Sequence, residues 1–197
     1  MRQVTWAHMH LSVDQITITA MDLLRSYGLA DVSMRRIAKE LDVAPSALYW
    51  HVASKQDLVA RLAEHIVAPL TTSSSPATST SEAARMLRNC LLSIRDGAEV
   101  TVTAVGNPES PIHSQLQRFF ITSLAMEVEG ASTPQLRATA DALLHLILGS
   151  ALVQQTESQL VAATNASETL PQSQTIERDD SFAFSVDLII RGLQAGC

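Results

Sequence analysis

Cysteine is nearly missing from this 197-residue chain, which has only Cys90 and Cys197. Two residues so far apart imply no disulfide framework. Aromatics amount to 4%, so a core must be built from Leu, Val, Ile, Ala and Met. No uninterrupted apolar run approaches the roughly 18–20 residues of a membrane span. The opening residues, MRQVTWAHMHLSVDQ, lack the apolar stretch of a secretory signal. The expected location is the cytoplasm, with no membrane partner. There is no phosphate-binding glycine loop, no nucleophile elbow and no His/Cys/Glu cluster at metal spacing. The six histidines stand singly along the chain. Neither an enzyme, a metal nor a cofactor is expected. Strand alternation and internal repeats are lacking as well.

What is present is helical patterning and an uneven charge. Hydrophobic residues make up 46% and the net charge is −6. Residues 1–70 balance seven Lys/Arg against seven acids, while residues 71–197 set seven against thirteen. A polyanion is therefore tolerated only by the first part. Ser12-Val-Asp-Gln15 is a capping box ahead of Ile16, Ala20, Leu23, Leu24 and Tyr27 at helical spacing, and Gly28 marks the stop. Ser33 caps a second helix with Ile37, Ala38 and Leu41, and Pro45 opens a third. Ser54 caps a fourth, which Pro69 is expected to close. The run TTSSSPATSTS, residues 71–81, has the composition of a linker. Beyond it, helices are expected over 82–104 (broken near Gly97, with Asp96 capping the second piece), 110–129, 134–163 (capped by Thr133) and 180–195. Residues 164–179 read as polar and mobile. The fold class is all-α.

The stretch LDVAPSALYWHVASK, residues 41–55, carries an odd surface. On a helical wheel of about 100° per residue, Leu48 and Val52 define the inner side and Trp50 points nearly opposite. Two short helices joined by a tight turn and buttressed by a longer one form a helix-turn-helix, whose second helix enters the major groove. Arg35, Arg36 and Lys55 flank it with charge for phosphates. Exposed Trp50 is then covered by DNA.

The segment LDVAPSALYWHVASKQDLVARLA resembles the N-terminal domain of the TetR (tetracycline repressor) family. LLSIRDGAEV at 91–100, HLILG at 145–149 and LIIRGL at 188–193 resemble segments of its C-terminal domain. The resemblance implies an all-α homodimer that binds double-stranded operator DNA, usually as a repressor, and releases it when a small-molecule effector binds. It implies a helix-turn-helix DNA-binding domain in residues 1–70, a linker at 71–81, and a larger ligand-binding and dimerisation domain in 82–197. By similarity Arg35, Ser46, Ala47, Tyr49, Trp50, His51 and Lys55 contact DNA, with Arg35 reading a base. Pro45 stands where tetracycline-binding members carry a base-reading glutamine, and Ala47 lacks their hydroxyl, so a different operator is expected.

Those members hold a drug–magnesium complex with two histidines, an asparagine, a phenylalanine, an arginine and a glutamate. Thr71, Thr101, Ala83, Leu87, Val105 and Val153 occupy these places here. Magnesium needs oxygen ligands and ordered water, so the expected effector is largely apolar and metal-free. Its expected site is Thr71, Leu87, Thr101, Val105, His113 and His145. The helix containing ALLHLILGSALV is apolar nearly all round, as a helix buried on every side would be. By resemblance it pairs with the last helix and their twofold mates, through Leu143, Leu146, Ile147, Ser150, Leu188, Ile189 and Leu193. A helical adaptor binding protein through the Tyr49–Trp50 face is the competing reading, distinguished by the absence of salt-dependent duplex binding.

Overall fold

The computed structural model describes residues 11–72, 79–164 and 172–197, apart from the side chains of 71–72 and 172–176. Among them are nine α-helices, one 3-10 turn and no strand. Helix α1, Val13–Tyr27, begins at the capping box: the Gln15 amide donates to Ser12 Oγ, and the Ser12 amide to Gln15 Oε1, each at 3.2 Å. It stops at Gly28, whose φ of +90° suits glycine. The 3-10 turn Leu29–Asp31 leads to α2, Met34–Glu40, capped by Ser33.

The α2–α3 turn is a Schellman motif. The Val43 amide bonds back to the Ala38 carbonyl at 2.9 Å, and Asp42 takes the left-handed position at φ 53°. Pro45–Leu48 forms α3, with proline at its first position. Helix α4, Lys55–Thr72, starts where Ser54 Oγ accepts the Asp57 amide at 3.0 Å. Pro69 does not close it. The ring removes a single hydrogen bond near the helix end, and both Pro69 and His65 face solvent, where water can serve the freed carbonyl.

Helix therefore runs into both ends of the expected linker: Thr71 and Thr72 end α4, and Thr80 and Ser81 begin α5 (Thr80–Leu92). Residues 73–78 lie outside the described ones. Then come α6 (Gly97–Val105), α7 (Ile112–Glu127), α8 (Thr133–Ala163) and α9 (Gln172–Ala195). Ser132, not Thr133, caps α8, paired with Gln135. Helix α9 begins eight residues earlier than its apolar pattern suggests, because Arg178 bonds Glu157 and Asp179 bonds Arg88, each at 2.8 Å.

One apolar cluster runs through the whole body, from Ile16, Leu24, Ile37 and Leu48 to Leu87, Phe120, Leu143 and Ile147. Helix α4 joins its halves, packing on α1 in one direction and on α5 and α6 in the other. By length and composition α8 could cross a membrane, contrary to the expectation from uninterrupted runs. Its Leu136, Ala140, Leu143, Leu144, Ile147, Leu148 and Ala151 are nonetheless buried within the subunit, which places it as a core helix.

Candidate nucleic-acid interface

Leu48 and Val52 are fully buried and pin α3 and its following turn to the core. Trp50 is consequently driven out and is 88% exposed, with Tyr49 beside it at 54%. Ser46 is exposed, while Ala47 and His51 are half-buried, and the His51 amide donates to the Leu48 carbonyl at 2.9 Å. Arg35 at the start of α2 and Lys55 at the start of α4 are both exposed. Neither has an ion-pair partner among the described residues. Free cations at either side of an outward aromatic suit a polyanion.

Arg36 is placed differently from the expectation. It lies 3.6 Å from Asp31 and 3.4 Å from Glu40, and its guanidinium stacks 4.8 Å from the Tyr27 ring centroid. Tyr27 is accordingly a half-exposed lid on Arg36 rather than a core residue. Exposed ion pairs of this kind contribute little stability but hold a side chain in place. Lys39, exposed at the end of α2, stands one helical turn after Arg35; as a lone cation without a motif it carried no signal in the sequence.

Behind this surface is a hook that joins it to the rest of the molecule. Asp96 occupies the N-cap position of α6 with φ 58°, but its side chain does not cap that helix. Its Oδ2 accepts the Leu29 amide at 2.6 Å, and Oδ1 accepts from Gln159 of α8. Capping falls instead to Gln155 of α8. Its Oε1 accepts the Ala98 amide at 2.9 Å, while its Nε2 donates to the Leu91 and Ile94 carbonyls at 3.0 and 2.8 Å. One carboxylate thus ties the α1–α2 connection to the α5–α6 corner and to α8.

The family profile described as "Bacterial regulatory proteins, tetR family" matches residues 16–62. Tetracycline repressor protein class E of Escherichia coli is 31% identical over 156 residues, covering 76% of this chain and 72% of that protein. The chain belongs to the TetR family. The structure of BioQ with its natural double-stranded DNA operator matches with a TM-score of 0.75 and 30% identity, over 94% of this chain and 99% of that one. A TetR variant of Acinetobacter baumannii AYE in complex with minocycline gives 0.71 and 30%, over 94% and 97%. TetR-family regulators bind operator DNA and respond to ligands, and these relatives are not enzymes.

In this TetR-family chain the residues expected at the ligand do not converge. Leu87, Ala83 and Thr101 are fully buried, and the Thr101 hydroxyl donates to the Gly97 carbonyl at 2.8 Å, leaving its oxygen as an acceptor. Val105 is half-buried. His113 sits on α7 with Nε2 3.5 Å from Asp141 of α8. Thr71 lies in the last turn of α4 and its side chain is outside the described ones. His145 and Val153 line a cleft of about 510 Å³ between α8 and α9, which Thr101 does not line. Buried Arg88 closes the floor of that cleft: it bonds Asp179 at 2.8 Å and Gln154 at 2.7 Å and stacks 4.9 Å from the Phe182 ring centroid.

The expected dimer residues divide. Leu143 and Ile147 are fully buried within their own subunit and cannot meet a partner. Leu193, nearly buried, lines a surface cleft between α8 and α9 with Ala138, Ala142 and Gly192. Leu146, Ser150 and Ile189 are half-buried, with the Ser150 hydroxyl donating to the Ile147 carbonyl at 3.0 Å. Leu188 is 52% exposed. The outward faces of the two helices carry Ala138, Ala142, His145, Gly149 and Val153 on α8, and Phe184, Leu188 and Gly192 on α9. A Cβ added at either glycine would have no neighbour within 4 Å.

Proposed function

We propose that this protein is a cytoplasmic transcriptional repressor. It acts as a homodimer on a twofold-symmetric operator and is released by a small, largely apolar effector that needs no metal. The observation that carries the reading is Trp50, held outward at 88% exposure between uncommitted Arg35 and Lys55. A large apolar side chain in that setting marks an interaction site, and the flanking cations select a polyanion.

The homodimer rests on the outer α8–α9 face, where apolar side chains and two unobstructed glycines stand together. Pairing that face with its mate makes a four-helix bundle. Of the residues expected at the effector, Leu87, Thr101, Val105 and His113 remain candidates in the α5–α7 region, with Thr71 at the end of α4. Such sites are mostly apolar with few polar groups, and the Thr101 oxygen is the handle. The effector must bind the DNA-free conformation better than the DNA-bound one. Its signal has two short routes to the DNA-facing helices: α6 packs directly on α4, and Asp96 holds Leu29.

Selection from a random duplex pool, followed by titration with Arg35→Ala, tests this reading. The variant should lose about 1–3 kcal/mol on the selected operator and much less on random DNA. Equal loss on both would make Arg35 a phosphate contact. No enriched sequence at all would favour a protein-binding adaptor and end the proposal.

A further inference from the structure

On the major-groove side, α3 is unusual for what it cannot do. In this docking mode the first residues of the recognition helix meet the base edges. Here they are Ala44, Pro45, Ser46 and Ala47, of which the first three are exposed and the last half-buried. Adenine is read by the paired donor and acceptor of Asn or Gln, and cytosine by the acceptor of Asp or Glu. Residues 44–53 contain none of these four types. The helix start adds no donor at Pro45, which has no amide hydrogen. The Ala47 amide is spent on the Ala44 carbonyl at 2.9 Å. Among these side chains the one polar group is a short hydroxyl, Ser46 Oγ, set among two methyl groups and a pyrrolidine ring. None of these side chains is long, so the helix backbone can come close to the base edges.

One base feature rewards such a surface. The thymine C5-methyl projects into the major groove and is recognised by apolar contact rather than by hydrogen bonds. We propose that Ala44, Pro45 and Ala47 form a thymine-methyl reader, so that each operator half-site sets thymines against α3 while Arg35 supplies hydrogen-bonded base recognition. This inference rests on the DNA-binding reading above and deepens it, naming the chemistry by which the front of α3 selects sequence.

The test uses the full-length protein and an operator selected from a random pool. Thymines are replaced one at a time by deoxyuridine, which pairs identically but lacks the methyl. Each contacted thymine should then cost about fourfold in affinity, the equivalent of one buried carbon. Thymines outside the contacted half-site positions should cost nothing. Pro45→Ser, at an exposed helix start, should shrink the deoxyuridine penalty at the position it touches, and Ala47→Gly should do so at its own. A 5-methylcytosine placed at a contacted position should bind better than cytosine there. If the deoxyuridine operator binds as tightly as the thymine one at every position, the methyl-reading proposal is overturned while DNA binding stands. If no sequence is enriched from the pool, the underlying reading falls first.

Discussion

Leu143→Asp is expected to yield no folded protein, whereas Leu188→Asp is expected to yield a folded subunit that no longer pairs. Both residues were expected at the dimer face, yet Leu143 is fully buried within its own chain and Leu188 is half-exposed. Removing the Leu143 side chain from the core costs about 2–5 kcal/mol. Placing an unpaired carboxylate there costs several kcal/mol more. Together these consume most of the 5–15 kcal/mol that stabilises a typical domain. At Leu188 the carboxylate is hydrated in the separate subunit and penalised only where a partner covers it. Circular dichroism and sedimentation together distinguish the two. A folded dimer from Leu188→Asp would remove that residue from the interface, and a folded Leu143→Asp would contradict the packing of α8.

Gly28→Ala is expected to loosen the DNA-facing helices from the rest of the molecule. The backbone at Gly28 has φ +90° and ψ 175°, a region that L-residues scarcely enter, at about 1–3 kcal/mol. The added Cβ would lie 2.6 Å from Asp96 Oδ2 and 3.0 Å from Arg95 Nε. Asp96 must then release the Leu29 amide, and a hydrogen bond to a charged group is worth about 1.5–3 kcal/mol. The two effects add to about 3 kcal/mol or more. Asp96→Asn, which keeps an acceptor but loses the charge, should cost about 1 kcal/mol. Denaturant unfolding gives the stability, and hydrogen exchange at the Leu29 amide reports the hook itself. Unchanged stability together with full protection of that amide in Gly28→Ala would show that the hook contributes nothing.

How much of this was legible in the sequence depended on whether the signal was local. The capping box at Ser12, the cap at Ser54, the stop at Gly28 and the proline start of α3 are set by neighbours three or four residues away, and all stand as read. Trp50 was legible because Leu48 and Val52 leave only one inner side on so short a helix. The face of α8 was not legible. Leu143, Leu144, Leu146, Ile147 and Leu148 are all apolar, so periodicity carries no phase, and Leu143 and Ile147 were assigned outward when they face inward. The small residues Ala138, Ala142 and Gly149 mark the outer face better. Long-range polar contacts were equally hidden. The Asp96–Leu29 bond spans 67 residues and the Arg88–Asp179 bond spans 91. An aspartate before a helix reads as a cap until its side chain is seen to turn elsewhere. The start of α9 was missed for the same reason, since Arg178 and Asp179 are ordered by partners on α8 and α5.

The central claim is that two copies of α3, fixed by one dimer, enter the two halves of a symmetric site at once. Half-sites of such dimers lie about 10–10.5 base pairs apart or at multiples of this, so that both helices meet the same side of the duplex. The direct measurement is affinity for the selected operator as base pairs are inserted at its centre. Inserting about five base pairs, half a helical turn, rotates one half-site to the opposite side of the duplex. Affinity should then fall to that for random DNA. If the lengthened operator binds as tightly as the original, the two recognition helices do not act together and the account is contradicted.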